Sequence, residues 1–549
     1  MTLIFIVGFV LLLAFFLLSS DGTRRARKNL EQIRSGWGKP KNEPFHFEGI
    51  GTYAGAVHDQ PFHRLSEQTL NDLDFQNLFR FLDRTTGKVG QQFLYKKLME
   101  PSDKTSDPSQ PLITLLTEDK ELRESVQMQL IQLNHSDAYH IPALLQDKLL
   151  EPPSWLSYLK LDILLLVLLL PVSFKFPVFS IVLLLIFAFN LLLHYWNKTN
   201  SYPFLRSFPQ LNTLVNVARV LSKMEKLPAD KAVEAGIEEL RPFQRKLNLL
   251  NFDNKGGIKG EIEQVMMYLL EMLKGFLLIE VFTLFRLTKE LESRQASIIT
   301  LFNYVGHIDA CISVASLRAG ELKTCLPELT DGGEGMILKN IYHPLIEDCV
   351  TNDLNITEKS ILITGSNMSG KSTFLRTLCI NSVLAQTIYT CFGDRFVSPV
   401  LKQYSSIRID DDLFEGKSYY FEEVRIMGTL IAEVETPFQN LFVLDEVFKG
   451  TNTVERIASA KAILSYLNRK NNIAIVATHD IELSDMLKEE YELYHFTETI
   501  EEEELVFDHK IKPGPLKTRN AIRLLELSDY PAEIIREAKE ILQGGKKFL

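Results

Sequence analysis

Ser360-Ile361-Leu362-Ile363-Thr364-Gly365-Ser366-Asn367-Met368-Ser369-Gly370-Lys371-Ser372-Thr373 begins as an apolar, β-branched run and passes into the pattern G-x-x-x-x-G-K-[ST]. A helical pattern follows from Phe374 to Leu384. Strand, glycine-bounded loop and helix in that order read as a phosphate-binding loop. The glycines let backbone N–H groups curl around phosphate oxygens at a helix N-terminus, where the helix dipole also favours anions. On this reading Gly365, Ser366, Asn367, Met368, Ser369, Gly370, Lys371, Ser372 and Thr373 hold the phosphates of ATP. Lys371 reaches the β- and γ-phosphates, and Ser372 offers its hydroxyl to Mg²⁺.

An ATP-hydrolysing site also needs an acidic strand end. Asn440-Leu441-Phe442-Val443-Leu444-Asp445-Glu446 supplies one. Asp445 is expected to hold Mg²⁺ through water, and Glu446 to polarise the attacking water as general base. A third strand, Ile473 to Ala477, ends in Thr478-His479-Asp480. A histidine there either caps the following helix or, if the three strands are parallel, reaches the same carboxyl edge and donates to the γ-phosphate. These strands, each followed by a polar loop and a helical pattern, make residues 331–549 an α/β domain with a mostly parallel sheet.

Upstream of Gly332-Gly333 the texture is helical. Residues 70–330 carry apolar stripes at helical spacing, with Leu78, Phe81, Leu82, Phe93, Leu94 and Leu98 as the first buried face. Residues 23–69, rich in Gly, His and Pro, read as a linker. Two blocks stand out as membrane segments. Thr2 to Ser19 is almost wholly apolar, with no cation before it and Arg24, Arg25, Arg27 and Lys28 after it. That charge order predicts an uncleaved anchor over residues 1–22, with the rest of the chain cytoplasmic. Leu161 to Leu193 is a second apolar block, broken at Pro171, Lys175 and Pro177. It predicts a membrane hairpin at about 156–196 that spans or dips and returns to the same side.

The whole chain of 549 residues is 46% hydrophobic and 24% charged and contains 35 phenylalanines, which excludes disorder as its main state. Its five cysteines include no C-x-x-C pair, so neither a disulfide framework nor a zinc ribbon is implied. A net charge of −10 gives no global attraction to nucleic acid.

These pieces resemble the ATPase domain of the MutS family, relatives of the ABC-type ATPases. The family's loop reads G-P-N-M-G-G-K-S-T; here Ser366 and Ser369 replace the Pro and one Gly. His343-Pro344 matches the family's His-Pro, which implies that His343 lies on the nucleotide's base side. Ser406-Ile407-Arg408-Ile409 with Asp412 resembles R-I-G-A-x-D, and Ser418-Tyr419-Tyr420-Phe421-Glu422-Glu423 resembles S-T-F-M-x-E. The resemblance implies that Ser418 reaches the γ-phosphate of a partner subunit, hence a homodimer through the ATPase domains. Asp445-Glu446-Val447-Phe448-Lys449-Gly450-Thr451-Asn452 stands for D-E-x-G-R-G-T-S, with Lys449 lacking the forked donor of Arg. Lys510-Ile511-Lys512-Pro513-Gly514 matches the closing K-x-x-P-G. Phe81 to Thr86 and His307 to Ala315 resemble parts of the family's helical core and lever.

Mismatch-repair members carry an N-terminal mismatch-binding domain with an F-x-E wedge. Residues 1–69 contain no such tripeptide, since Phe47 stands directly beside Glu48. The resemblance therefore implies the ATPase without the mismatch reader: a membrane-anchored dimer in which ATP closes helical arms, with DNA as one partner to weigh. Arg206, Arg219, Lys223, Lys226, Lys231, Arg241, Arg245 and Lys246 read either as a phosphate track or as a solvated helix face. The alternatives are an ABC-type transport ATPase, which lacks its L-S-G-G-Q signature here, and a scaffold that does not act on DNA.

Overall fold

The computed structural model describes residues 24–146, 156–200, 202–250, 278–333, 335–366, 368–408, 419–448, 451–501, 504–516, 522, 526 and 530–544. The expected anchor at 1–22 lies outside the described residues. The chain divides into two compact units, and neither follows the chain linearly. One draws on residues up to Asp59, Leu82–Lys96 and Ser109–Gly320; the other on Gln60–Phe81, Lys97–Pro108 and Glu321 onward.

The first unit is helical. Its apolar hairpin is α1 (Leu156–Lys175) and α2 (Val178–Asn200). The break falls at Phe176-Pro177, because a proline lacks the N–H that would continue the ladder. Leu161, Leu168, Leu184 and Leu192 all turn outward, whereas the polar pair inside the hairpin is satisfied by Asn190 Nδ2 donating to Asp162 Oδ2 at 2.9 Å. Helices α3 (Tyr202–Leu221) and α4 (Lys231–Leu250) follow, then α5 (Gln295–Arg318), whose residues from Ile298 to Leu317 are mostly buried. Two described stretches are long and apolar enough to cross a membrane: Val178–Trp196, with 11% buried, and Leu284–Arg318, with 72% buried inside the protein. The second is a core element.

The core of this unit joins the two family-like segments that lie far apart in sequence. Asp309, on α5 and fully buried, accepts from the N–H groups of Thr86 and Gly87, both at 2.7 Å. The Ser313 hydroxyl accepts from Arg84 N at 2.8 Å. Burial pushes the Asp309 carboxyl up to about 7, against the lowering effect of those two bonds. Nearby, the buried Asp83 is held ionised by Lys41 at 2.8 Å.

Residues 23–69 are not the expected linker. Residues 24–36 are helical, and Phe47–Ala56 is a helix capped by His46, whose Nδ1 accepts from Gly49 N at 3.0 Å. Ile50, Tyr53 and Ala54 are spaced to share one face, and all three are buried. That stripe outweighs the helix-breaking tendency of the glycines. Gly49 is itself required by packing, since a Cβ would sit 2.9 Å from the Tyr139 ring.

The second unit contains the α/β domain. Its main sheet has six strands: β1 (Ser360–Thr364), β2 (Lys402–Ser406), β3 (Asn440–Asp445), β4 (Ile473–Thr478), β5 (Tyr491–His495) and β6 (Lys512–Pro513), in the order β6-β5-β1-β4-β3-β2. All neighbours pair in parallel except β5 with β6. Strands β1, β3 and β4 are buried at every residue, which is why they read as unbroken apolar runs. A smaller mixed sheet joins Glu328–Thr330, Arg395–Pro399, Met336–Ile341 and Asn352–Ile356.

The α/β unit extends beyond 331–549, because residues 60–81 and 97–108 complete it. Asp72, fully buried, accepts from the Ser405 hydroxyl at 2.6 Å and from the N–H groups of Arg408 at 2.7 Å and Ile407 at 3.0 Å. His63 Nε2 donates to Gln403 O at 2.8 Å, and Gln386 O accepts from Ser102 N at 2.9 Å. Edge strand β2 is thereby covered, so its backbone groups are not left open to another chain.

Candidate active site

In the sheet order β1-β4-β3, Thr364 pairs with Thr478 and Ala477 with Asp445. The carboxyl ends of the three strands therefore lie side by side. That register brings together the loop after β1, the carboxylates after β3 and the histidine after β4, where open parallel sheets bind ligands.

The loop runs into α6 (Lys371–Thr387), with Gly370 as its N-cap at φ +109°, a backbone region that only glycine enters without strain. Lys371 Nζ donates to Gly365 O at 2.7 Å and Ser366 O at 2.8 Å, so the cation is folded over the loop. The two serines that depart from the family pattern tie the loop down. Ser369 Oγ donates to Ser366 O at 2.8 Å, and Ser366 Oγ donates to Glu498 Oε2 at 2.8 Å. Ser372 Oγ donates to Asp445 Oδ2. A hydroxyl and a carboxylate held together at a phosphate site are hard oxygen donors of the kind a small divalent cation takes alongside phosphate and water. Among the described residues no group of three or more His, Cys, Asp or Glu side chains could hold a metal by itself.

Glu446 takes a positive φ of 60° and donates its N–H to Ala477 O at 2.9 Å. His479 Nδ1 lies 3.2 Å from Glu446 Oε1. The hydrogen bond to Glu446 holds the imidazole pKa above its usual value, against the opposing effect of partial burial. The sequence-based alternative, that His479 caps the next helix, does not hold: Asp480 is the N-cap residue of that helix.

A cavity of about 660 Å³ is lined by Ser366, Met368, Gly370, Lys371, Ser372 and Thr373 of the loop and helix start and by Asp445 and Glu446 after β3. Ile341, Ile346, Val350, Phe374 and His509 add apolar and aromatic surface to it. His343 is not among the lining residues. It is buried in a turn closed by Ile346 N donating to His343 O, its Nδ1 accepts from Leu345 N at 3.3 Å, and burial pushes its pKa down to about 4. The neutral ring thus shapes the turn that presents Ile346 and its neighbours. His509, absent from the sequence reading, lines the cavity instead. Its Nδ1–H donates to Ser369 O at 3.1 Å, its ring stacks on Phe507, and Asn352 Nδ2 donates to its carbonyl at 3.0 Å. The available signal was its place immediately before the Lys510–Gly514 motif. Ser418, Asn367, Lys449 and Gly450 lie outside the described residues.

Loop, acidic strand end and histidine therefore occupy the carboxyl edge of one parallel sheet. Residues 361–544 match MutS domain V. The second unit thus carries a MutS-type ATPase domain. The chain is 31% identical over 264 residues to the DNA mismatch repair protein MutS of Pseudothermotoga lettingae, covering 46% of this chain and 32% of that one. It is 31% identical over 216 residues to the same-named protein of Thermus thermophilus, covering 39% and 26%. With that of Lactobacillus delbrueckii subsp. bulgaricus it shares 33% identity over 237 residues, covering 41% and 27%. The chain spans a third or less of the length of these relatives.

Proposed function

We propose that this chain is a membrane-anchored MutS-like ATPase that works as a dimer, coupling ATP binding and hydrolysis to movement of its helical arms. The observation that carries the reading is the alignment of Lys371, Ser372, Asp445, Glu446 and His479 along one edge of a parallel sheet. In this mechanism the loop N–H groups and Lys371 bind the β- and γ-phosphates. Ser372 and Asp445 would hold Mg²⁺, which would supply positive charge against that developing on the phosphate oxygens. Glu446 orients a water in line with the γ-phosphorus and accepts its proton, and His479 donates to a γ-phosphate oxygen. Ser418 completes the site of the partner subunit. Because ADP offers no γ-phosphate to bind, only ATP favours the closed pair, and that difference in affinity is what moves the arms.

Membrane attachment is supported by the outward-facing leucines of α1 and α2 and by the apolar run at 2–19. The domain stays on the ATP-bearing, cytoplasmic side because the hairpin returns the chain to the side from which it entered. An anionic partner such as DNA is supported by one clustering: Arg219, Lys223, Arg241 and Arg245 line a single cavity of about 670 Å³ beside α3 and α4, where they outnumber Glu234 and Glu238, the latter paired with Arg241 at 2.9 Å. The relatives' names point the same way.

The test is steady-state ATP turnover of the detergent-solubilised protein, alone and with duplex, mismatched or branched DNA. Glu446→Gln is expected to retain ATP binding and lose about 10²-fold or more in turnover, as removal of a general base does. Unchanged turnover would remove Glu446 from its role. If no DNA changes turnover or binds at low salt, the partner belongs to another class.

A further inference from the structure

Helix α8 (Ile481–Leu487) begins after Asp480, and an aspartate at that position ordinarily accepts hydrogen bonds from the first helical N–H groups. Here its side chain makes no such bond. Both carboxylate oxygens face Arg456, near the start of α7 (Thr453–Leu467): Nε to Oδ2 at 2.9 Å and Nη2 to Oδ1 at 2.6 Å. The pair is largely withdrawn from solvent, the side chains being 14% and 9% exposed. His479 stands between this pair and the base. Its Nδ1 is 3.2 Å from Glu446 Oε1 and its Nε2 is 3.8 Å from Asp480 Oδ1.

The imidazole thus has a carboxylate on either side, and the two compete for its orientation and its proton. A carboxylate engaged by a forked guanidinium has its charge offset and its best acceptor directions filled. We propose that Arg456 is a positioning residue of the ATPase site: by engaging both oxygens of Asp480, it keeps the His479 imidazole committed to Glu446. The proposal rests on the reading of Glu446 and His479 given above and adds Arg456 and Asp480 as the pair that keeps them together. The pair belongs to the elements after β3 and β4 and not to the phosphate loop, so its loss acts on turnover rather than on ATP binding.

Without Arg456, Asp480 becomes an uncompensated carboxylate beside Nε2 and draws the ring from Glu446. Without both, no competitor remains. This gives the experiment its form: ATP turnover and fluorescent ATP-analogue binding of the full-length protein in detergent. Arg456→Ala is expected to lower kcat about tenfold, as modest misplacement of a catalytic group does, with KM and analogue affinity unchanged. Arg456→Lys restores the charge without the fork and falls between. The Arg456→Ala, Asp480→Ala double variant recovers kcat to within about twofold of the parent, a rescue that a merely structural ion pair would not show. The pH profile of kcat gives a second readout. The charged groups around the imidazole are Glu446 from the end of β3, Asp480 beside it and Arg456 from α7, with Glu482 facing Arg456. Loss of Arg456 leaves more negative charge there, so the limb belonging to His479 moves to higher pH, and it moves back in the double variant.

Parental kcat and pH profile in Arg456→Ala, or a double variant no better than the single one, would overturn the proposal. Should Arg456→Ala bind no analogue, the double variant decides alone, since it leaves no buried charge unpaired. A kcat within about twofold of the parent then supports the proposal, and a tenfold loss overturns it. Failure of the underlying reading is seen separately, as full turnover by Glu446→Gln.

Discussion

Asp72→Ala tests whether the segment before the helical core is a working part of the ATPase domain. The carboxylate accepts from the Ser405 hydroxyl and the N–H groups of Arg408 and Ile407 at 2.6, 2.7 and 3.0 Å, and from Gln68 Nε2 at 3.2 Å. Hydrogen bonds to a charged acceptor contribute roughly 1.5–3 kcal/mol each, so four lost bonds amount to about 6–12 kcal/mol. Against this, the alanine no longer carries the cost of burying a carboxylate, several kcal/mol per ion. Burial raises the carboxyl's own pKa although the bonds oppose it, so the net is set mainly by the donors that truncation leaves without an acceptor, at about 1–3 kcal/mol each. The net loss is about 3 kcal/mol. For a unit of roughly 150–250 residues, each kcal/mol lowers the midpoint by about 2–4 °C, which gives about 6–12 °C. Residues 60–81, 97–108 and 321–549 contain no tryptophan, so intrinsic fluorescence does not follow this change. The assay is the temperature at which a fluorescent ATP analogue is released. Ser405→Ala, which removes only the hydroxyl, should lower that temperature by a third of the Asp72→Ala shift or less. A shift under about 2 °C for Asp72→Ala would refute the reasoning and show that residues 60–81 merely lie against the sheet edge.

Asp309 gives the helical unit a pH dependence of defined sign. Its carboxyl is raised to about 7 in the folded state from 3.8, so the folded state holds a proton that the unfolded chain releases. Stability is therefore highest below about pH 4, falls as pH rises towards 7 and levels off above it, at up to about 1.4 kcal/mol per pH unit. Urea midpoints followed by tryptophan fluorescence should fall from pH 5 to 7, and Asp309→Asn should flatten the slope; an equally steep fall in that variant would assign it elsewhere. Carbonate washing should leave the protein in the membrane pellet even after deletion of residues 1–20, because the α1–α2 hairpin remains; complete release would show the hairpin to be unattached to lipid. In the proposed dimer, mixing Ser418→Ala with Lys371→Ala subunits leaves one composite site lacking both groups and the other keeping both. Activity should partly return. No return at any ratio, with the heterodimer shown to form, would exclude composite sites acting independently.

What lies within a short window was legible in the sequence. The run Ile361–Thr364 followed by Gly365–Thr373 identifies strand, loop and helix, because glycine conformations, strand burial and helix start all act between near neighbours. The same holds for Asp445 and Glu446 after β3, and for the hairpin, where Pro177 ends one helix and starts the next. Residues Phe47–Ala56 were locally legible too, but composition hid the stripe of Ile50, Tyr53 and Ala54. Tertiary structure alone decided the rest. Asp72 meets Ser405 across more than 330 residues of chain, and a buried carboxylate satisfied by distant N–H groups leaves no trace in its own surroundings. His343 carries a family-like motif yet lies buried beside the cavity, while His509 reaches it through the Asn352 and Ser369 bonds that hold the tail against the loop. Arg456 and Asp480 look like ordinary helix-start residues. Only the parallel order β1-β4-β3, set by the pairing of buried strands, turns them towards each other and towards His479 and Glu446.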